Sequence, residues 1–273
     1  MATPLEGRVA LITGAARGQG RAHAVRLAAD GADIVAVDIC ADIPTVGYPL
    51  ATPEDLAETA RLVEAQGRKV IARPVDVRDR AALQAVVDEA VAALGPIRIV
   101  VANAGIAPLM GGGDEDETFA DVLDVNLTGA WNTVKAAAPS MVEAGLGGAI
   151  VLISSTQGLS GTGGNGTPGL TAYTASKHGL VGLMRSFANW LAPHSIRVNT
   201  VHPTGVATPM ILNEPMQAYL TSTPATSDRQ GNLLPVPMVE SEDISNAVAW
   251  LVSDGGRYVT GVTLPVDAGF AAK

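Results

Sequence analysis

The sequence predicts an α/β fold, a single doubly wound parallel sheet of about seven strands with helices on both faces. Seven short runs, at 9–13, 33–37, 70–74, 97–102, 149–154, 196–201 and 263–266, are built largely from Val, Ile, Leu and Ala with little polar alternation. Strands buried on both faces read this way. Helical apolar patterns separate them, among them 55–66, 81–94, 119–138, 172–191 and 241–252, and strands alternating with helices pair in parallel. Gly14, Asp38, Asp76, Asn103, Ser155 and Pro203 each stand just after a strand run. In such sheets ligands bind outside the carboxyl ends of the strands, so these residues are expected to converge on one edge.

The first strand runs into Thr13-Gly14-Ala15-Ala16-Arg17-Gly18-Gln19-Gly20, and the helical spacing of Ala22, Ala24, Val25 and Leu27 follows at once. A strand, a glycine turn and a helix in that order aim backbone N–H groups and a helix N-terminus at an anion, with no side chain in the way of a pyrophosphate. This is the Rossmann-like arrangement. The second strand ends in Asp38, placed to accept hydrogen bonds from an adenosine ribose and to repel a 2′-phosphate, which favours NAD over NADP. Arg17 argues the other way, but Asp38 is followed by Ile39 rather than a basic residue, and the carboxylate carries more weight.

Tyr173 and Lys177 lie one helical turn apart on a common face. An ammonium beside a phenol favours the phenolate, and a tyrosine whose pKa is brought down toward neutrality can serve as a base. The same pair on an amphipathic helix also describes a core aromatic beside a solvated lysine. The glycine turn and Asp38, with Ser154-Ser155 closing an apolar run, decide for chemistry.

The chain has 273 residues, 47% hydrophobic and 16% charged, enough to bury a large core, and 1–273 is expected to form one domain. The formal net charge of −9, without a Lys/Arg cluster, speaks against a nucleic acid or an anionic membrane as partner and for a small-molecule substrate. Neither an apolar leader nor a membrane-length apolar run occurs, so a cytoplasmic protein is expected. Cys40 is the sole cysteine, and His23, His178, His194 and His202 lack metal-ligand spacing; no metal is expected. Three irregular stretches, 40–53, 158–169 and 210–239, are long enough to cover a site or join subunits. The last holds the apolar residues Met210, Ile211, Leu212, Met216, Leu220, Leu233, Leu234 and Met238, read as a lid over an apolar substrate or as packing and interface.

Together these motifs resemble the short-chain dehydrogenase/reductase family over essentially the whole chain. The matching features are Thr13-Gly14-x-x-x-Gly18-x-Gly20, Asp76-Val77, Asn103-Ala104-Gly105, a helical Asn126, Ser154-Ser155, and Tyr173-x-x-x-Lys177. Further along stand Arg197-Val198-Asn199, Pro203-Thr204-Gly205-Val206-x-Thr208 and Gly261-x-x-Leu264-x-Val266-Asp267. Asp38-Ile39-Cys40, the inserted segment before Thr52-Pro53-Glu54-Asp55-Leu56, and Lys177-His178-Gly179 are similar to the carveol-dehydrogenase-type branch associated with the redox carrier mycofactocin.

The resemblance implies an NAD-dependent alcohol dehydrogenase acting on a hydrophobic secondary alcohol such as carveol. Tyr173 would be the general base, Ser155 would hold the substrate oxygen, Lys177 would bind the nicotinamide ribose and lower the tyrosine pKa, and Asn126 would position a water leading to solvent. Gly14, Arg17, Gly18, Gln19, Gly20, Asp38, Ile39, Asp76, Val77, Asn103, Ala104, Gly105, Pro203, Val206 and Thr208 would bind the cofactor with Tyr173 and Lys177. Thr204 stands where many members have Pro-Gly directly, and the stretch between Ser155 and Tyr173 is long for the family. The branch further implies NAD held too tightly to exchange under the 40–53 insertion and mycofactocin as electron acceptor, and the family resemblance implies a homotetramer built through 119–138, 172–191 and the C-terminal region. A steroid, sugar or acyl-thioester reductase, or a dinucleotide-binding protein without turnover, are the alternatives.

Overall fold

The computed structural model describes residues 3–108, 113–222 and 231–273, with backbone only at 219–222. Seven parallel strands form one sheet: β1 (Val9–Thr13), β2 (Asp33–Asp38), β3 (Val70–Pro74), β4 (Ile97–Ala102), β5 (Gly148–Ile153), β6 (Ile196–Pro203) and β7 (Thr263–Val266). Their order is β3-β2-β1-β4-β5-β6-β7. The order reverses between β1 and β4, which opens a crevice at the carboxyl ends of those neighbours.

Alternate strand residues feed two cores, as a period of two requires. Leu11, Val35, Val100, Ile150 and Val198 face one side, where α3 (Arg80–Leu94), α5 (Gly129–Ala144) and α6 (Pro168–Leu191) supply Val87, Val134 and Leu180. Ile12, Ile34, Val101, Val151 and Val201 face the other, against Leu27 of α1 (Gly18–Ala29), Val63 of α2 (Pro53–Glu64) and Val248 of α8 (Ser241–Val252). In β4 the pairing with β1 shifts by one between Ile97 and Ile99, so Arg98 forms a bulge.

Several helix boundaries differ from the sequence expectation, two of them because of polar residues at a helix end. The second helix begins at Pro53 rather than 55, since Thr52 and Asp55 form a reciprocal capping box with proline in the first turn. The acidic run before 119 is the first turn of α4 (Glu115–Leu123), capped by Asp114, whose carboxylate accepts from Asp116 N and Glu117 N. The expected single helix 119–138 is α4, a π-helical turn at Asp124–Thr128 and then α5, which continues through Pro139 to Ala144. The stretch 210–239, expected to be irregular, contains α7 (Glu214–Ser222). Residues 223–230 and the side chain of Leu220, both within the expected lid, lie outside the described residues. No helix among the described residues is long and apolar enough to cross a membrane.

Candidate active site

A cleft enclosing about 1030 Å³ of space, the open solvent at its mouth included, lies over the carboxyl ends of β1 and β4. Its floor is the turn between β1 and α1. Gly14 and Gly18 take positive φ of 65° and 53°, a region that L side chains rarely adopt. Gly20 is helical, and the reason for its lack of a side chain is space: a Cβ there would stand 1.9 Å from Gly14 O and 2.8 Å from Asn103 Nδ2. Helix propensity alone would favour alanine at this position by about 1 kcal/mol. Gly20→Ala is nevertheless expected to destabilise the turn by at least about 1–3 kcal/mol and to strip nucleotide from the protein. Mass spectrometry of the purified variant and a melt with added NAD check this outcome.

Thr13 couples the two central strands, its hydroxyl accepting from Asn103 N and Ala104 N at 3.1 Å each. Asn103 answers by donating its amide to Thr13 O and Gly14 O. Gln19 Oε1 is buried without a partner at the cleft, an unmet acceptor of the kind that a ligand donor completes.

Asp38 is 8% exposed at the end of β2. Its Oδ2 accepts from Ala16 N at 3.0 Å and its Oδ1 from Cys40 N at 3.3 Å. Burial raises its pKa above the ordinary carboxylate value, opposed by these backbone bonds and by Arg17. Arg17 lines the cleft but donates Nη2 to Pro49 O at 2.7 Å, so it fastens the 40–53 segment. Thr45 donates to Asp121 Oδ2 at 2.7 Å and the Tyr48 hydroxyl accepts from Ala107 N at 3.1 Å. Ile43, Tyr48, Leu50 and Ala51 thereby join the cleft wall. Sequence reasoning did not single out these residues; the length of the segment was the one signal of them.

Of the predicted residues, Gly14, Arg17, Gly18, Gln19, Gly20, Asp38, Ile39, Asp76, Val77, Asn103, Ala104, Gly105, Tyr173, Lys177 and Thr208 line the cleft. Asn126, Ser155, Pro203 and Val206 are not among the residues that line it, whereas Ser154, the neighbour of Ser155, is. Asn126 is spent on the loop after β4: its Oδ1 accepts from Ile106 N at 2.8 Å and its Nδ2 donates to Ile106 O at 3.0 Å. Asn126 Oδ1 and Lys177 Nζ lie 3.2 Å and 3.6 Å from the point where a Cβ on Gly105 would stand. Val206 is buried and bridges to Val239, while the Thr208 methyl packs on Gly18. Among the expected lid residues Met210 lines the cleft and Met216 is buried, whereas Leu212, Leu233 and Leu234 are exposed.

Tyr173 and Lys177 share one face of α6, as their spacing predicts. The two serines divide: Ser154 donates its hydroxyl to Lys177 O at 2.9 Å, while the Ser155 hydroxyl is the group that favours the ionised Tyr173 phenol. Lys177 is 4% exposed and donates Nζ to Ile153 O at 2.9 Å. Burial lowers its pKa to about 8. The Tyr173 pKa is raised by burial, and the Ser155 hydrogen bond opposes that rise. The expectation that Lys177 brings Tyr173 down is therefore corrected for the polypeptide by itself. The ammonium stands 5.4 Å from the ring centroid and is itself desolvated, and removing a phenolate from water outweighs its attraction.

A family model described as enoyl-(acyl carrier protein) reductase matches residues 14–271. A (−)-trans-carveol dehydrogenase of Rhodococcus erythropolis is 49% identical over 279 residues, 98% of this chain and 99% of its own. The chain belongs to the short-chain dehydrogenase/reductase family. Another such relative, an uncharacterised oxidoreductase of Mycobacterium tuberculosis, is 58% identical over 99% of this chain and 98% of its own. The crystal structure of carveol dehydrogenase from Mycobacterium avium in complex with NAD superposes with a TM-score of 0.90 at 48% identity, covering 99% of this chain and all of that one. This short-chain dehydrogenase/reductase is thus an NAD-dependent oxidoreductase. The glycine floor, the unmet Gln19 acceptor and the Asp38 carboxylate fit that cofactor.

Proposed function

We propose that the enzyme interconverts a hydrophobic secondary alcohol and its ketone, with Tyr173 as general base and acid. The observation that carries this reading is the meeting of Ser155, Tyr173 and Lys177 beside the glycine-floored cleft. The nicotinamide of bound NAD supplies the hydride acceptor. Tyr173 Oη takes the hydroxyl proton of the alcohol as its carbinol hydride leaves, and Ser155 holds the substrate oxygen. Lys177 binds the nicotinamide ribose, and its charge together with that of the oxidised ring favours the phenolate that burial disfavours. Asn126 holds the Gly105–Ile106 turn against Lys177.

Asp38 accepts from the adenosine ribose, and Asp76 and Val77 flank the adenine. Backbone N–H groups of the Gly14–Gly20 turn, Gln19 among them, cradle the pyrophosphate, and Thr208 and Val206 meet the nicotinamide end. The 40–53 segment, pinned through Arg17, Thr45 and Tyr48, closes over the cofactor so that it is reoxidised in place, by mycofactocin in this reading. Met210 borders the substrate end, where the likeness to carveol dehydrogenases supports a cyclic terpenoid alcohol.

The test is turnover of an alcohol panel headed by (−)-trans-carveol, with free NAD and with an artificial electron acceptor in parallel, on protein isolated without added nucleotide. The expected result is NAD in the isolated protein and ketone formed with the artificial acceptor. Failure on every secondary alcohol overturns the substrate reading. Protein isolated empty that turns over freely with added NAD overturns the clamp.

A further inference from the structure

His202 is the next-to-last residue of β6, fully buried, with both ring nitrogens engaged. Nδ1 lies 2.8 Å from Ser155 O and Nε2 lies 2.8 Å from Thr200 Oγ1. A carbonyl oxygen can only accept, so Ser155 O assigns the proton to Nδ1, and the bare Nε2 at 2.8 Å takes the Thr200 hydroxyl proton in preference to Val262 O, which lies 3.4 Å from the same oxygen. Ser155 is otherwise held by its own short turn: its Oγ accepts from Gln157 N at 3.1 Å and its carbonyl from Gly158 N at 2.8 Å. Those donors move with the turn, whereas His202 is anchored in the sheet. One lone pair of the Ser155 hydroxyl is committed to Gln157, and its proton can go to Tyr173 or to a substrate oxygen.

We propose that His202 is a positioning residue for catalysis, its Nδ1–H fixing the Ser155 carbonyl and thereby the hydroxyl that meets Tyr173, with Thr200 setting the tautomer. The proposal rests on the Ser155 role in the proposed function. A buried histidine that merely fills space would be replaced by an apolar side chain without a change in kcat. Here the donor matters, and asparagine, whose amide nitrogen stands near where Nδ1 does, should replace it.

The experiment compares wild type, His202→Leu, His202→Asn, Thr200→Val and Ser155→Ala, each isolated with its bound NAD and oxidising (−)-trans-carveol with an artificial acceptor. His202→Leu is expected to lower kcat roughly ten- to a hundredfold, the cost of a misplaced catalytic group, with KM unchanged. His202→Asn should recover most of that loss. Thr200→Val, which keeps the strand and the shape, should lower kcat in the same direction; it decides the matter if His202→Leu fails to fold. Full kcat in His202→Leu, or in Thr200→Val where it must stand in, beside an inactive Ser155→Ala overturns the positioning role and leaves that of Ser155 standing. So does an asparagine variant as slow as the leucine one. An active Ser155→Ala, or a wild type inert toward every secondary alcohol of the panel, removes the reading beneath the proposal and the proposal with it; where carveol is not turned over but another alcohol of the panel is, that alcohol takes its place in the comparison.

Discussion

Tyr173→Phe is expected to lower kcat roughly a hundred- to ten-thousandfold, the range that a general base contributes, while NAD stays bound. The ring, on α6, packs against the core, and phenylalanine keeps that packing. What goes is the oxygen, and with it the acceptor for the substrate proton and the partner of Ser155. The glycine floor, Asp38 and the 40–53 segment are untouched, so nucleotide measured in the isolated variant should match wild type. A dinucleotide-binding protein without chemistry would show no turnover to lose. A variant that retains activity would place the base elsewhere and overturn the Tyr173 mechanism. The raised phenol also makes this substitution informative about pH. If the oxidised ring and Lys177 bring Tyr173 into range only in the loaded enzyme, the alkaline rise in single-turnover oxidation belongs to Tyr173 and should vanish in the variant.

The strands were legible because parallel strands buried on both faces are nearly continuous apolar runs, and four of the seven begin and end at the residues expected. Helix ends were less so. Asp114 and Thr52 are capping residues, and a periodicity argument starts only where the apolar stripe starts. The π turn at Asn126 leaves no trace in spacing, because a single wide turn shifts the helix face without changing the residue types that face needs. At the site, residues bound to one turn or one helix face, such as Gly14, Gly20, Tyr173 and Lys177, could be grouped from sequence distance. Tyr48 and His202 could not: each reaches its partner, Ala107 or Ser155, across dozens of residues, and nothing in a loop's length or a lone histidine says where it folds. The sign of the tyrosine shift was hidden for the same reason, since it depends on how much water the fold removes.

Acidification below pH 6.5 is expected to destabilise the protein through His23, far from the substrate end of the cleft. The ring lies between α1 and α8, fully buried. Ser245 donates to Ser241 O at 3.0 Å, so its oxygen accepts from His23 Nδ1–H at 2.8 Å, and Nε2 is left buried without a partner. A second proton there would find no acceptor, and burial lowers the pKa from 6.5 to about 3. Above pH 6.5 the ring is neutral in the folded and unfolded chain and costs nothing. As pH falls from 6.5 toward 3 the unfolded chain takes up a proton that the folded one refuses, and stability is lost across that window. The loss is about 2 kcal/mol by pH 5, a fall in melting temperature of roughly 4–8 °C. His23→Asn keeps a donor toward Ser245 and cannot titrate, so its melting temperature should start lower at neutral pH but fall less steeply with acid. Parallel slopes for variant and wild type would reject His23 as the source. Since α1 opens at the glycine turn, loosening it against α8 also loosens the cradle, and NAD release should follow the same acid limb, flattened in His23→Asn.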